Sequence, residues 1–594
     1  MTNISSLRVG SLRDLFKQKG INAYIVPSTD PHLSEYVADH WKSREWISGF
    51  TGSAGTVVIT SDKAGLWTDS RYFLQAADQL QDSCITLYKD MLPETPSITE
   101  FLSNELSDGS VVGIDGKMFS DSQVTAYKSE LSTHGISILD TGDLITEIWN
   151  NRPALPQGQA LLFADRYAGR KTSDKIQDIR TTLKAAHCDC ILVSALDEIA
   201  WTLNLRGNDI HCNPVIVSYL LITPDSVHYF VQPQKLSAKV VRYLQNNGVT
   251  LHDYEEIEAY LKQLELCSIM LDRTRTNYTL CQAVRHLQVI HTSSPINAMK
   301  GIRNQTEIRN IRKTMIYDGV ALVRFQIWLE QAIKNGERVT EMTIGAMLKQ
   351  FRQEQPGWLD ESFDTIAGYG PHGAIVHYEA TPETDTELQP HGFVLIDSGA
   401  QYLTGTTDIT RTIALGPLTH EEKNDYTLVL KGHIDLAMAV FPEGTRGTQL
   451  DILARLPLLK QRKNYLHGTG HGVGHCLNVH EGPQSIRMNE NPVTLKVGMV
   501  TSNEPGIYIA GKHGVRTENL VLTRPAGSGL YGNYLRFETL TLCPICTKGI
   551  IRSLLTDEEV KWLNNYHKTV YNKLAPHLSK KEQTWLRKAT QSIN

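Results

Sequence analysis

Four histidines crowd one short stretch, "LHGTGHGVGHCLNVHEGP" (466–483): His467, His471, His475 and His480. The first three are four residues apart, a spacing that on a helix would line one face and grip a metal ion. Glycines at 468, 470, 472 and 474 argue against a helix, because each costs roughly 1 kcal/mol relative to alanine in a helix interior. Glycine also lets backbone approach a crowded site closely. A loop or strand that carries one imidazole inward, with His471 the first candidate, fits this pattern.

Acidic residues supply the rest of a candidate site. In "LIDSGAQYLTGTTDITRTI" (395–413), Asp397 follows the apolar run "FVLI" and Asp408 lies eleven residues on, across a turn. In "NEPGIYIAGKHGVRTENLVL" (503–522), Glu504 and Glu518 repeat the plan fourteen residues apart. Both segments read as β-hairpins with acids on facing strands. A buried carboxylate costs several kcal/mol unless it is paired or bound to a cation. Taken singly, Asp408 could pair with Arg411 and Glu518 with Arg516. Four acids in two matching hairpins, beside a histidine-rich loop, favour a pair of divalent cations instead. One imidazole among four carboxylates is a hard, oxygen-rich set. It suits Mn2+ better than a thiolate-type structural zinc site, and Zn2+ or Co2+ could also occupy it. Two such ions roughly 3.5–4 Å apart can share a hydroxide and polarise a carbonyl.

The elements that must position these groups belong to a chain of 594 residues, long enough for several domains. With 41% hydrophobic and 21% charged residues, it has the composition of a globular protein rather than a disordered one. A net charge of −5 offers no basic field for nucleic acid or an anionic membrane. The start, "MTNISSLRVGSLRDLFKQKG", has no continuous apolar run of the secretory kind. No stretch reaches the roughly 18 uninterrupted apolar residues of a spanning helix. Nine cysteines do not read as a disulfide framework and fit a reducing cytoplasm. "CPIC" (Cys543, Cys546) has redox spacing but follows a strand-like run, so it reads as two ordinary thiols at a strand end.

Two early segments look like distant copies of one plan, "NAYIVPSTD…REWISGFTGSAGTVVITSDKAGLWTDS" (22–70) and "DCILVSALDEIAWTLNLRGND…PVIVSYLLITPDSVHYFVQP" (189–233). Each has an apolar strand, a helical segment holding a tryptophan, a glycine-containing turn, and two β-rich runs broken by "TSDKAG" or "TPDS". The expectation is two related α/β domains, 1–150 and 151–298, joined through "NRPALPQG" (151–158), and a third, larger region over 299–594. The third region opens on a helical pattern from Thr306, with Ile308, Ile311, Met315, Val320, Val323 and Ile327 at helical spacing. Near the C-terminus, Thr556 with Glu559 three residues on signals a helix with a capping box, packed on the body or on a partner subunit.

The motifs "IVHYEATPET", "LIDSGAQYLTGTTDITRT", "YLHGTGHGVGHCLNVHEGP", "SNEPGIYIAGKHGVRTENLVL" and "YGNYLRFETLTLCPI" resemble aminopeptidase P, the Xaa-Pro aminopeptidase family of pita-bread metallopeptidases. "SGFTGSAGTVVIT", "WTDSRYFLQAA", "SALDEIAWTLNLRG" and "NPVIVSY" resemble its long, three-domain cytosolic form, so the likeness spans essentially the whole chain. The resemblance implies an α/β (α+β) fold with two creatinase-N-like domains followed by a pita-bread catalytic domain. It implies metal ligands Asp397, Asp408, His471, Glu504 and Glu518, with Asp408 and Glu518 bridging two ions. It places His377 and His480 beside the reacting carbonyl, His467 on the proline side of the substrate, and Arg516 on the bridging glutamate and nearby acids. Arg71, in "WTDSRYF", either reaches toward the substrate's tail or forms a salt bridge in its own turn. His475 falls outside the functional pattern and reads as structural or surface.

The activity implied is release of the first residue from peptides with proline in second position, by attack of a metal-bridging hydroxide on the scissile carbonyl. Glu504 would relay the proton, and a histidine would protonate the departing proline nitrogen. The family likeness further implies a cytoplasmic homodimer with no nucleic-acid or membrane partner. Prolidase, an Xaa-Pro dipeptidase, shares the catalytic plan, but a chain of this length with a second N-terminal domain favours the aminopeptidase. A metal-free binding module on the same fold should have lost several of the acids or His471, and all five are present.

Overall fold

Two six-stranded sheets carry the first half of the chain in a computed structural model that describes residues 3–594. The first sheet runs in the order Thr86–Lys89, Ala64–Thr68, Thr56–Thr60, Ala23–Pro27, Val111–Ile114, Ser137–Asp140. The second runs Val249–His252, Val227–Val231, Ser218–Ile222, Cys190–Val193, Ser268–Leu271, Gln288–His291. Strand directions match position for position: two antiparallel pairings flanked by parallel ones at each edge. Even the turn chemistry repeats. Thr60 N donates to Lys63 O and Thr223 N to Ser226 O, while each threonine hydroxyl accepts a backbone N–H three residues on. The tryptophans singled out in the sequence sit on corresponding helices, Trp46 on Ser43–Ser48 and Trp201 on Leu196–Leu203. Two copies of one α/β plan therefore lie in a single compact unit, Met1–Phe163 with Arg170–Asn297.

The second compact unit, Ala298–Asn594 with Ala164–Gly169, holds both acidic hairpins. Its long helix, Gln305–Asn335, starts where Asn304 and Glu307 form a capping box, and it buries Ile308, Ile311, Met315, Val320 and Val323, with Ile327 partly buried. One antiparallel sheet pairs Phe393–Tyr402 with Trp358–Tyr369 on one side and Ile409–Ala414 on the other. The other runs Val440–Pro442, Gly532–Thr539, Asn519–Gly529, Val500–Asn503, Gly470–Gly472, Glu481–Ile486. The helix Asp557–Leu574, near the C-terminus, begins at the Thr556–Glu559 capping box and packs Leu563, Tyr566, Val570 and Leu574 into the same core as Gln305–Asn335. Among the described residues, no helix is long and apolar enough to cross a membrane.

Candidate metal centre

Asp397 sits mid-strand in Phe393–Tyr402, every residue of which is buried. It faces Thr410 across the antiparallel pairing, and Asp408 precedes the partner strand by one residue. A strand alternates its faces every residue, so Asp408, two residues from Thr410, shares the face of Asp397. The second hairpin works differently. Asn503 pairs with Asn519, and beyond a break Gly506 pairs with Arg516. Glu504 and Glu518 occupy the break on opposite strands, where their side chains escape the regular ladder. Carboxylate oxygens of Asp397, Asp408 and Glu518 lie within 4.8 Å of one another, as do ligand atoms of His471, Glu504 and Glu518.

His471 is centred in the three-residue strand Gly470–Gly472, so the histidine run forms no helix. Backbone proximity requires glycine at 470 and 472. A Cβ on Gly470 would lie 2.0 Å from Ser502 O, and one on Gly472 2.1 Å from Glu481 O. His471 N donates to Ser502 Oγ at 2.9 Å, and its Nδ1 meets Gly472 O at 3.0 Å, which leaves Nε2 for the acids. Nε2 lies 3.4 Å from Asp408 Oδ2 and 3.3 Å from Glu504 Oε1.

The electrostatics of this cluster call for positive charge. Burial raises the Asp397 carboxyl above the usual carboxylate range; Arg516 offsets part of this and Asp408 adds to it. Burial also raises Glu504, with His471 opposing and Asp408 reinforcing the shift. Glu518 is raised furthest, by burial and then by the charges of Asp408, Glu504 and Asp397. Burial alone would lower His471, but the Asp408 hydrogen bond and the Glu504 and Asp408 charges outweigh it and hold the imidazole at about 9. Asp397 Oδ1 and Glu518 Oε1 are buried and meet no hydrogen-bond donor among the described residues. Orphaned buried carboxylate oxygens are costly, and two hard divalent cations would satisfy both oxygens and balance four acids against one arginine. The donor set fits such a pair.

The bases suggested by sequence proximity turn elsewhere. Arg411 donates to the carbonyls of Thr410, Glu518, Cys543 and Pro544, to Asn519 Oδ1 and to Tyr566 Oη, and pairs with no acid among the described residues. Arg516 pairs with Asp397 at 2.6 Å rather than with Glu518. Its other contacts are Thr410 Oγ1 at 3.0 Å, Tyr508 Oη at 2.6 Å and Val376 O at 3.3 Å.

His480 stacks edge-on against His471 with ring centroids 4.3 Å apart, and its ligand atom clusters with those of Asp408 and His471. His467 meets Gly468 O through Nδ1 and Tyr508 Oη through Nε2, both at 2.8 Å. His377 is half-buried in the turn after Gly370–Ala374, one residue beyond the carbonyl that Arg516 holds. Arg71 lies in the first unit, where it grips Asp69 through two 2.8 Å contacts. His475 is buried and donates from Nε2 to Tyr167 O at 3.2 Å. Cys543 and Cys546 are free thiols, Cys543 accepting from Gln326 Nε2 at 3.1 Å.

Sequence reasoning missed the hydroxyls that orient the acids. Thr410 Oγ1 donates to Glu518 Oε2 at 2.9 Å, and Ser502 Oγ donates to Glu504 Oε1 at 3.2 Å. Each lies two residues from an acid of its own hairpin, a same-face spacing that could have flagged it.

Comparison with known proteins identifies the family of the chain. The model of metallopeptidase family M24 matches residues 309–525, and that of the C-terminal region of peptidase M24 matches 533–593. Two models of the creatinase/prolidase N-terminal domain match 8–148 and 151–307. The chain is 40% identical to aminopeptidase P2 of Arabidopsis thaliana, over 98% of this chain and 87% of the relative. It is 39% identical to a probable Xaa-Pro aminopeptidase P of Coprinopsis cinerea, over 99% and 98%. A crystal structure of X-prolyl aminopeptidase from Caenorhabditis elegans, described as a cytosolic enzyme with a di-nuclear active site, superposes with a TM-score of 0.96. The two are 35% identical over 99% of this chain and 100% of the worm chain.

Proposed function

Because the chain belongs to the Xaa-Pro aminopeptidases of metallopeptidase family M24, we propose that it releases the N-terminal residue from peptides with proline in second position, using two divalent ions held by Asp397, Asp408, His471, Glu504 and Glu518. The observation that carries the reading is the convergence of these five side chains, with orphaned oxygens on Asp397 and Glu518. The oxygen-rich donor set supports Mn2+ as the resident ion.

Bound there, the ions supply Lewis acidity that polarises the scissile carbonyl and lowers the pKa of water. The protein's own groups do the rest. Arg516, 1% exposed, holds Asp397 in place by donating from both Nε and Nη2 to Oδ2. Thr410 and Ser502 fix one oxygen each of Glu518 and Glu504. The Glu504 carboxylate, partly open beside the His471 ring, is placed to take up a proton during attack. His377 and His480 flank the carbonyl and donate to its developing negative charge. A peptide bond before proline has no N–H, so recognition cannot use one. His467, braced by Tyr508, instead lines the pyrrolidine side. One of the imidazoles protonates the departing nitrogen.

Two further readings accompany this one. The worm relative's cytosolic description and the free cysteines support a cytoplasmic location. Ile452, Leu456 and Leu459 form an exposed apolar stripe at helical spacing on Gly447–Leu459, which supports a homodimer through this unit. A monomer mass by light scattering would exclude the dimer.

The deciding assay compares Xaa-Pro dipeptides with Xaa-Pro-Xaa tripeptides on chelator-treated and Mn2+-restored protein. Tripeptide turnover should vanish on chelation and return with two ions bound per chain. Hydrolysis of dipeptides alone would make the enzyme a prolidase. A protein that binds no divalent ion and is not rescued by Mn2+ would end the peptidase reading.

A further inference from the structure

Residues 370–392 link two strands of the catalytic sheet, Trp358–Tyr369 and Phe393–Tyr402, and apart from one short helical turn at Gly370–Ala374 and an isolated bridge at Glu387 they have no regular structure. Loops of this length are uncommon in a compact fold unless something ties them down. This one carries His377, and one side chain does most of the tying. Glu341, the first residue of the helix Glu341–Gln353, is buried, and its carboxylate accepts from four groups of the loop and its rim. Oε1 accepts from Tyr369 N at 2.8 Å and His372 Nδ1 at 3.0 Å. Oε2 accepts from Tyr378 Oη at 2.9 Å and Thr386 N at 3.1 Å. A carboxylate can only accept, so Nδ1 of His372 carries the hydrogen. The ring of His372 then stacks on Tyr378 with centroids 4.5 Å apart, which places that contact beside His377 in sequence.

The other side of the loop is fixed from the metal cage. Arg516, which holds Asp397, also donates to Val376 O. Gly373 is pressed against the hairpin that bears Arg516: a Cβ on Gly514 would fall 1.6 Å from Gly373 O. His377 is therefore suspended between two anchors. Arg516 already serves the cage, whereas Glu341 contacts none of the five proposed metal ligands in any hydrogen bond described for it.

We propose that Glu341 is a positioning residue for the peptidase reaction: it fixes the loop that carries His377, and thereby the place of that imidazole beside the scissile carbonyl. The inference rests on the role given to His377 above. It assigns Glu341 an effect on turnover that runs through His377 and not through metal binding.

The test measures kcat, KM, bound Mn2+ and thermal midpoint for the Mn2+-loaded full chain on an Xaa-Pro-Xaa tripeptide. The variants are Glu341→Gln, His377→Ala and the double substitution. Glu341→Gln should lower kcat by roughly 10–100-fold, as loss of a supporting hydrogen-bond partner commonly does, with KM and bound Mn2+ unchanged. In the His377→Ala background the same substitution should cost almost nothing further, the non-additivity of groups acting as a unit. An equal loss in both backgrounds would overturn the inference, because a merely structural role would act regardless of His377. Wild-type kcat in His377→Ala would instead overturn the role of His377, and the inference with it, while leaving the metal reading untouched. Should Glu341→Gln fail to fold, Tyr378→Phe removes a single donor and keeps the ring. It should lower kcat several-fold only when His377 is present, and an unchanged kcat would count against the proposal.

Discussion

Four acids closing on one imidazole set up a pH dependence whose sign follows from their surroundings. A carboxyl raised in the folded state binds its proton more tightly there than in the unfolded chain, where glutamate titrates near ~4.3. Asp397, Glu504 and Glu518 are all raised. The folded state of the metal-stripped protein therefore loses stability as pH climbs above that unfolded value. His471, held at about 9, contributes stability that is complete below its unfolded value and is lost as pH rises through about 9. Both slopes have the same sign. Divalent ions bind the deprotonated cage, and a saturating ligand adds about 2.7 kcal/mol at a hundredfold excess over Kd. The rise in thermal midpoint on adding Mn2+ to chelated protein should therefore be larger at pH 8 than at pH 5.5. An equal rise at both values would show that these carboxylates do not titrate as a cage. The donors were legible in the sequence because an acid ending a run such as "FVLI" has no inexpensive alternative. Their supports were not: Thr410, Ser502 and Tyr508 are residue types found everywhere. Arg516, two positions from Glu518, turns to Asp397 119 positions away, a choice made by tertiary contact.

Elements explain why the histidines recur every four residues without forming a helix. Gly470 and Gly472 let the His471 strand press against the backbone of Ser502 and Glu481, and those neighbours are carbonyl oxygens of paired strands that cannot swing aside. Gly468 has more room, its nearest neighbour being Arg487 Cβ at 3.6 Å from an added Cβ. Gly470→Ala should thus lower the thermal midpoint and the affinity for Mn2+ together, overpacking of this kind costing about 1–3 kcal/mol. Gly468→Ala should leave both near the wild-type values. Equal tolerance at both positions, read by thermal unfolding and Mn2+ titration, would mean that the close approach does not constrain the strand. The sequence declared the glycines but not which of them mattered, since that depends on which strand lies alongside. The hairpins themselves were readable from their acid–turn–acid pattern. The break at Glu504 and Glu518 was not, because an interrupted ladder leaves no periodic mark.

Across the whole molecule the same sheet order appears twice in the first unit, and the duplication is legible in the sequence as repeated strand and turn chemistry. What periodicity could not show is that Ala164–Gly169 leaves its neighbours in sequence and belongs to the catalytic unit. Three side chains hold that segment. Asn304 Nδ2 donates to Ala168 O at 2.8 Å, Asn310 Nδ2 to Arg166 O at 3.0 Å, and His475 Nε2 to Tyr167 O at 3.2 Å. His475 thus stands four residues from the proposed ligand His471 and does a different job, anchoring chain from far upstream. Replacing it with alanine removes one of two described donors to Tyr167 O, the other being Asn310 Nδ2 at 3.2 Å, a loss of about 0.5–1.5 kcal/mol, without touching the cage. His475→Ala should therefore melt at a lower temperature while keeping its two divalent ions and its kcat. His471→Ala should lose bound metal and turnover while remaining folded. Metal analysis and thermal unfolding of the two variants side by side separate these outcomes. Loss of Mn2+ from His475→Ala would place that imidazole in the centre after all, and the division of labour along the glycine-spaced run would have to be redrawn.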